Sequence, residues 1–222
     1  VTVLGAVGPW SPRRLGSWCR WRFPERRAGD CLALTFDDGP DAAVTPKVLD
    51  LLDRLGLRAS FFVLGEAVAA APGLLAEVCS AGHLVGVHGW AHRHHLVRSP
   101  GWVVEDLNRA VQTVGEITGQ APAWFRPPYG QLSAGSLRAA RQLGLQTVLW
   151  STWGREFADS DLERVRRRLV AGLRPGAVVL LHDSDRVAPP GTGARTVAVL
   201  PRLADALAER GLRAEALDRV AA

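Results

Sequence analysis

Three observations predict an α/β fold: a (β/α) barrel of the TIM type, shortened or incompletely closed. From Cys31 onward, short runs rich in β-branched and aromatic residues alternate with longer amphipathic runs, the pattern of a parallel sheet with helices outside. About seven strand-helix units share under about 200 residues, less chain than a full barrel with loops takes up. No strand is followed by a Gly-rich phosphate-binding turn, although an open doubly wound sheet is the alternative architecture.

The elements follow in order. The first strand is 31–36, CLALTF, an apolar run stopped by Asp37-Asp38-Gly39-Pro40. A helix near 44–55 comes next, with Pro46 suited to a first helical turn and Gly56 to a helix end. Strand 58–63, RASFFV, leads into a helix near 66–80 that Gly82 closes. Strand 83–87, HLVGV, precedes a helix near 102–117. Strand 123–127, AWFRP, runs into Pro-Tyr-Gly and a helix near 133–143 ended by Gly144. Strand 145–150, LQTVLW, a helix near 160–172, strand 177–181, AVVLL, a Pro-Gly loop at 188–194, a helix near 196–210 and a last strand at 212–217 complete the chain. Residues 1–29 read as an N-terminal lead-in, flexible or a truncated targeting region, and 30–222 as one catalytic-sized domain.

Composition narrows the classes. With 222 residues, 47% hydrophobic and 22% charged, the chain buries one sizeable core. The formal charge is +5, and Lys47 is the sole lysine, so the basicity is arginine scattered in pairs. That favours acidic surroundings such as a cell envelope over a nucleic-acid partner, which would want one aromatic-laced basic patch. Cys19, Cys31 and Cys79 lack metal-type spacing and are expected to pack as small apolar residues. No run of about 18 apolar residues is present, so no transmembrane span is expected. The sequence starts at Val1 without a legible signal peptide. A location in the envelope or outside the cell is expected if a targeting segment lies upstream, and a cytoplasmic one otherwise.

Polar residues gather at or just after strand C-termini: Asp37 and Asp38, His88 and His92, Arg126, then His182 and Asp183, with Glu156 a short loop beyond the fifth strand. In a parallel βα barrel these ends share one rim, so residues far apart in sequence converge. Two adjacent carboxylates repel and lose hydration, which a cation would offset; a plain polar turn is the bland alternative. His88 and His92 stand four apart, a spacing that on a helical turn puts both imidazoles on one face. With one of the two aspartates they make a carboxylate-plus-two-imidazole set that leaves positions open for water and substrate. His94 and His95 crowd the same segment, while His83 lies on a strand and is expected to pack. Arg126 is suited to pair with whichever aspartate is off the ion, and His182 to act as proton donor beside a carboxylate.

Together TFDDGP, HGWAH, RPPYG, WSTWGREF and LLHD, in this order, resemble the polysaccharide deacetylases of the NodB-homology type, carbohydrate esterase family four. The likeness runs over about residues 30–218. It implies a distorted (β/α) barrel and a divalent metal ion, usually zinc, held by Asp38, His88 and His92. It also implies that Asp37 is the general base, tethered by Arg126, that the Tyr129 backbone N–H meets the oxyanion, and that His182 protonates the departing amine. Leu180 would line the acetyl pocket. The implied partner is an acetylated glycan, peptidoglycan-like or chitin-like, and the implied reaction is removal of acetyl groups from its N-acetylamino sugars. Two departures stand out: Glu156-Phe157 where the family usually has Asp-Trp, and Gly89 where it has Ser or Thr after the first histidine. Glu is a methylene longer and Phe lacks the indole N–H. An O-acetyl esterase, a non-sugar amide hydrolase of the same fold and a catalytically impaired glycan-binding relative are the alternatives.

Overall fold

The computed structural model describes residues 29–221. The lead-in up to residue 28, with Cys19, lies outside the described residues. The elements are β1 (Cys31–Asp37), α1 (Thr45–Arg54), β2 (Ser60–Val63), α2 (Gly65–Ala70), α3 (Pro72–Ser80), β3 (Leu84–Val87), α4 (Pro100–Thr118), β4 (Trp124–Phe125), α5 (Ala134–Gln142), β5 (Gln146–Thr147), β6 (Thr152–Trp153), α6 (Leu162–Ala171), β7 (Val178–His182), α7 (Thr192–Glu209), β8 (Arg213–Glu215) and α8 (Leu217–Ala221).

The strands form one parallel sheet in the order β5-β4-β3-β2-β1-β7-β6. β8 pairs with the first half of β1, Cys31 opposite Arg213, and β2 with the second half, Thr35 opposite Ser60. The sheet curls, but its edge strands β5 and β6 are not paired with each other, so the barrel is incompletely closed, as predicted.

Alternation along β1 assigns each residue to one of two cores. Leu32, Leu34 and Phe36 point outward into the larger cluster, with Val48, Leu52, Leu203 and Leu207 of the surrounding helices. Ala33 points into the barrel, where Phe62, Trp124, Trp150, Val178 and Leu180 fill the interior. Thr35 and Asp37 share that inward face, and both are buried. At the end of the pairing, Asp37 is in register with His182 of β7 and with Phe62 of β2. This register puts a carboxylate and an imidazole at one mouth.

Five expectations need correction. The predicted helix over 66–80 is two helices broken at Ala71 (φ −142°, ψ 63°), because Pro72 has no N–H and disfavours the helical region for the residue before it. The predicted strand 145–150 pairs only at Gln146–Thr147; Val148, Leu149 and Trp150 instead cross the buried interior. A further strand, Thr152–Trp153, then pairs with β7. The last long helix starts at Thr192 rather than 196, and α8 follows the final strand. Local caps explain other starts: Ser99 accepts the Trp102 N–H at α4, and Ser133 and Ser136 form a capping box at α5. Cys31 and Cys79 are free and half-buried, in keeping with packing roles.

Candidate active site

The strand C-terminal ends bring Asp37, Asp38, His88, His92, Arg126, Glu156 and His182 to one mouth. Arg126, just beyond β4, is completely buried and spans the barrel interior. Its Nη1 donates to Asp37 Oδ1 at 2.7 Å and to Thr35 Oγ1 at 2.8 Å, and its Nη2 to the Leu149 carbonyl at 3.2 Å. The guanidinium also lies 4.2 Å over the Phe62 ring. Thr35 was not singled out in the sequence; its place two residues before Asp37 on the same strand face is the signal that could have found it.

Asp38 has a left-handed backbone (φ 78°), a conformation that costs a non-glycine residue on the order of 1 kcal/mol or more, and Asp37 Oδ2 lies 3.7 Å from His88 Nε2. Asp38 Oδ1 lies 3.5 Å from His88 Nε2 and 3.4 Å from His92 Nε2, and is buried without a hydrogen-bond partner among the described residues. His88 Nδ1 sits 2.7 Å from the Arg126 carbonyl, so that nitrogen donates and the Nε2 lone pair faces Asp38. Burial holds both imidazoles neutral, each lowered to about 3, and pushes the Asp38 carboxyl up to about 7. Burial likewise raises Asp37, against the pull of Arg126.

One ligand atom from each of Asp38, His88 and His92 lies within 4.8 Å of the others. Two bonds of about 2.0–2.1 Å at a tetrahedral angle separate ligand atoms by about 3.4 Å, which matches both measured carboxylate-imidazole distances. An orphaned carboxylate oxygen facing two neutral imidazoles is chemically a divalent-cation site, and the residues fit one. The spacing of the two histidines does not act through a helical turn, however. His88 directly follows β3, and His92 lies in a loop with φ 44°.

Opposite this triad, His182 Nδ1 meets Glu156 Oε1 at 2.7 Å. Burial works to lower the imidazole, but the Glu156 charge and hydrogen bond outweigh it and hold His182 at about 9. The longer Glu side chain therefore reaches the histidine, and Arg195 Nε of α7 holds the Glu156 backbone carbonyl. Phe157 stands edge-on to His182 at 5.6 Å and continues through Trp153 to Trp150 as an aromatic wall. Leu180 is buried two residues before His182 on the same inward face.

Tyr129 has a left-handed backbone (φ 58°) and an exposed ring, 4.3 Å from His92 and stacked on His94 at 3.6 Å. His94 is thus beside the triad but not in it, with Nδ1 at 2.9 Å from Gln131 Oε1. His95 is buried between Ser136 and Asp106. His83 lies at the other end of β3, packed 5.4 Å from Phe61, away from the mouth. Asp183, next to His182, is a buried carboxylate whose Oδ2 accepts the Thr45 hydroxyl at 2.7 Å. It presses on Gly39, so any side chain at position 39 would overlap it.

Comparisons with known proteins place the chain in a family. The family model described as polysaccharide deacetylase matches residues 25–148. The chain is 37% identical over 160 residues to a peptidoglycan-N-acetylglucosamine deacetylase of Listeria monocytogenes, covering 72% of this chain but 34% of that protein. It is 34% identical over 198 residues to a Bacillus cereus peptidoglycan-N-acetylglucosamine deacetylase, covering 87% of this chain and 88% of the relative. Among solved structures, a family 4 carbohydrate esterase from Streptomyces lividans in complex with acetate superposes with a TM-score of 0.76 at 31% identity, over 84% of this chain and 92% of that one. The chain spans about a third of the length of the Listeria relative, yet it holds the whole described barrel and its mouth. The chain belongs to the polysaccharide deacetylase family.

Proposed function

We propose that the protein is a metal-dependent hydrolase that removes acetyl groups from the N-acetylamino sugars of a poly- or oligosaccharide, peptidoglycan-like or chitin-like. The observation that carries this reading is the Asp38, His88 and His92 triad set beside the Arg126-bound Asp37, with the His182–Glu156 pair across the mouth. The names of the similar deacetylases support the substrate class. Zinc is the ion the two-imidazole, one-carboxylate set suits best.

Asp38, His88 and His92 would hold a divalent cation, which would supply polarisation of the acetyl carbonyl and a more acidic water at neutral pH. Asp37, oriented by Arg126, takes a proton from the attacking water. The Tyr129 backbone N–H meets the negative charge that develops on the carbonyl oxygen. His182, kept protonated by Glu156, gives its proton to the amide nitrogen as the C–N bond breaks. A new C–O bond replaces it, so the products are acetate and a free amino sugar. Leu180 lines the space for the acetyl methyl group. The 2.7 Å contact between Glu156 and His182 supports turnover over a binding-only role.

The test is acetate release from N-acetylglucosamine oligomers and from cell-wall glycan, with and without chelator. Chelator-sensitive release supports the proposal. Release from acetylated xylan alone would move the assignment to an O-acetyl esterase.

A further inference from the structure

The two imidazoles of the triad are oriented by different means. His88 is fixed through its own ring, by the hydrogen bond to the Arg126 carbonyl. The His92 ring has no such anchor, since its Nδ1 is buried without a hydrogen-bond partner among the described residues. The ring packs against Tyr129 at 4.3 Å, and with no hydrogen bond of its own its aim depends on the backbone of the loop that delivers it.

That loop is clamped at the two residues just after His88. The N–H groups of Gly65 and Glu66, at the start of α2, donate to the carbonyls of Gly89 and Trp90 at 3.1 and 3.0 Å. From the other side, Asp106 of α4 accepts the Trp90 N–H at 2.9 Å through Oδ2. The Trp90 ring is pinned beneath the Arg109 guanidinium at 3.6 Å, also from α4. Where the chain leaves the loop, His95 Nε2 faces the same Asp106 oxygen at 3.7 Å. One buried carboxylate thus borders the loop on both sides of His92.

The glycine at position 89 fits this arrangement. Its φ is +87°, and a Cβ there would come 2.9 Å from Asp106 Oδ2. The Asp106 carboxylate occupies the space a side chain at 89 would need, and binds the loop from outside. We infer that Asp106 is a positioning residue for the cation site: through the Trp90 N–H it ties the His92 loop to α4. This rests on the reading of Asp38, His88 and His92 as the ligands.

Cobalt(II) affinity of the metal-free protein tests it, read by d–d absorption and by competition with a chromophoric chelator. Thermal melting of each metal-free variant runs alongside. Asp106→Ala should weaken cobalt binding about 10- to 100-fold, the usual effect of losing an outer partner of a metal site. Asp106→Asn, which keeps an oxygen acceptor for Trp90, should bind close to the parent. If the alanine variant does not fold, Asp106→Ser, too short to reach Trp90, takes its place. Unchanged affinity in the Ala or Ser variant, with or without a lower melting temperature, overturns the inference, and so does an Asn variant as weak as Ala. Failure of the parent to bind cobalt any better than His88→Ala overturns the ligand reading itself, which is a separate result.

Discussion

Arg126 Nη1 lies 2.7 Å from Asp37 Oδ1, and neither side chain is more than 3% exposed. Removing one partner of a buried pair leaves the other charge without compensation. Arg126→Ala should therefore cost about 3–5 kcal/mol in denaturant unfolding. Arg126→Lys keeps the charge, but one ammonium cannot span Asp37, Thr35 and Leu149 as the guanidinium fork does. The lysine variant should fold with less loss and still lose most acetate release.

His182 and Asp38 predict how the metal-free protein responds to pH. The folded-state value of His182 is raised to about 9, against about 6.5 for a free histidine. Its stabilisation is fully present below about pH 6.5 and is lost as the pH rises through about 9. Asp38, raised to about 7, acts with the same sign from about pH 4 to 7. Melting temperature of the metal-free protein should fall across the upper window; in the lower one His88 and His92, lowered to about 3, act with the opposite sign and offset Asp38. Glu156→Gln should flatten the upper one, because Glu156 supplies the charge that raises His182.

Gly39 and Asp183 predict a coupled pair. Gly39→Ala drives a methyl group into the buried Asp183 carboxylate and should cost about 1–3 kcal/mol. Asp183→Ala removes the three carboxyl atoms that a Cβ at 39 would meet, so the double variant should be more stable than the sum of the two single losses, measured by a denaturation cycle. Strict additivity would show that the two residues do not press on one another.

What the sequence made legible was whatever a local pattern carries. The alternation Leu32-Leu34-Phe36 against Ala33-Thr35-Asp37 is written in β1 itself, and the clustering of polar residues at strand ends followed from it. The register that pairs Asp37 with His182 is a contact between distant segments and has no local signature. The helix break at Ala71 was signalled by Pro72, but the amphipathic period on both sides masked it. For His88 and His92, spacing suggested a helical turn, yet convergence on Asp38 comes from left-handed residues in a loop. Asp106 was illegible for another reason: its partner is a backbone N–H, which every residue but proline offers.

The central claim is that two adjacent aspartates have opposite jobs, and it is tested most directly by measuring cobalt(II) affinity and kcat together in Asp37→Asn and Asp38→Asn. The account predicts that Asp38→Asn loses the cation, while Asp37→Asn binds it about as well as the parent but turns over about 10²- to 10⁴-fold more slowly. An Asp37→Asn enzyme of parental kcat, or an Asp38→Asn enzyme of parental affinity, would contradict it.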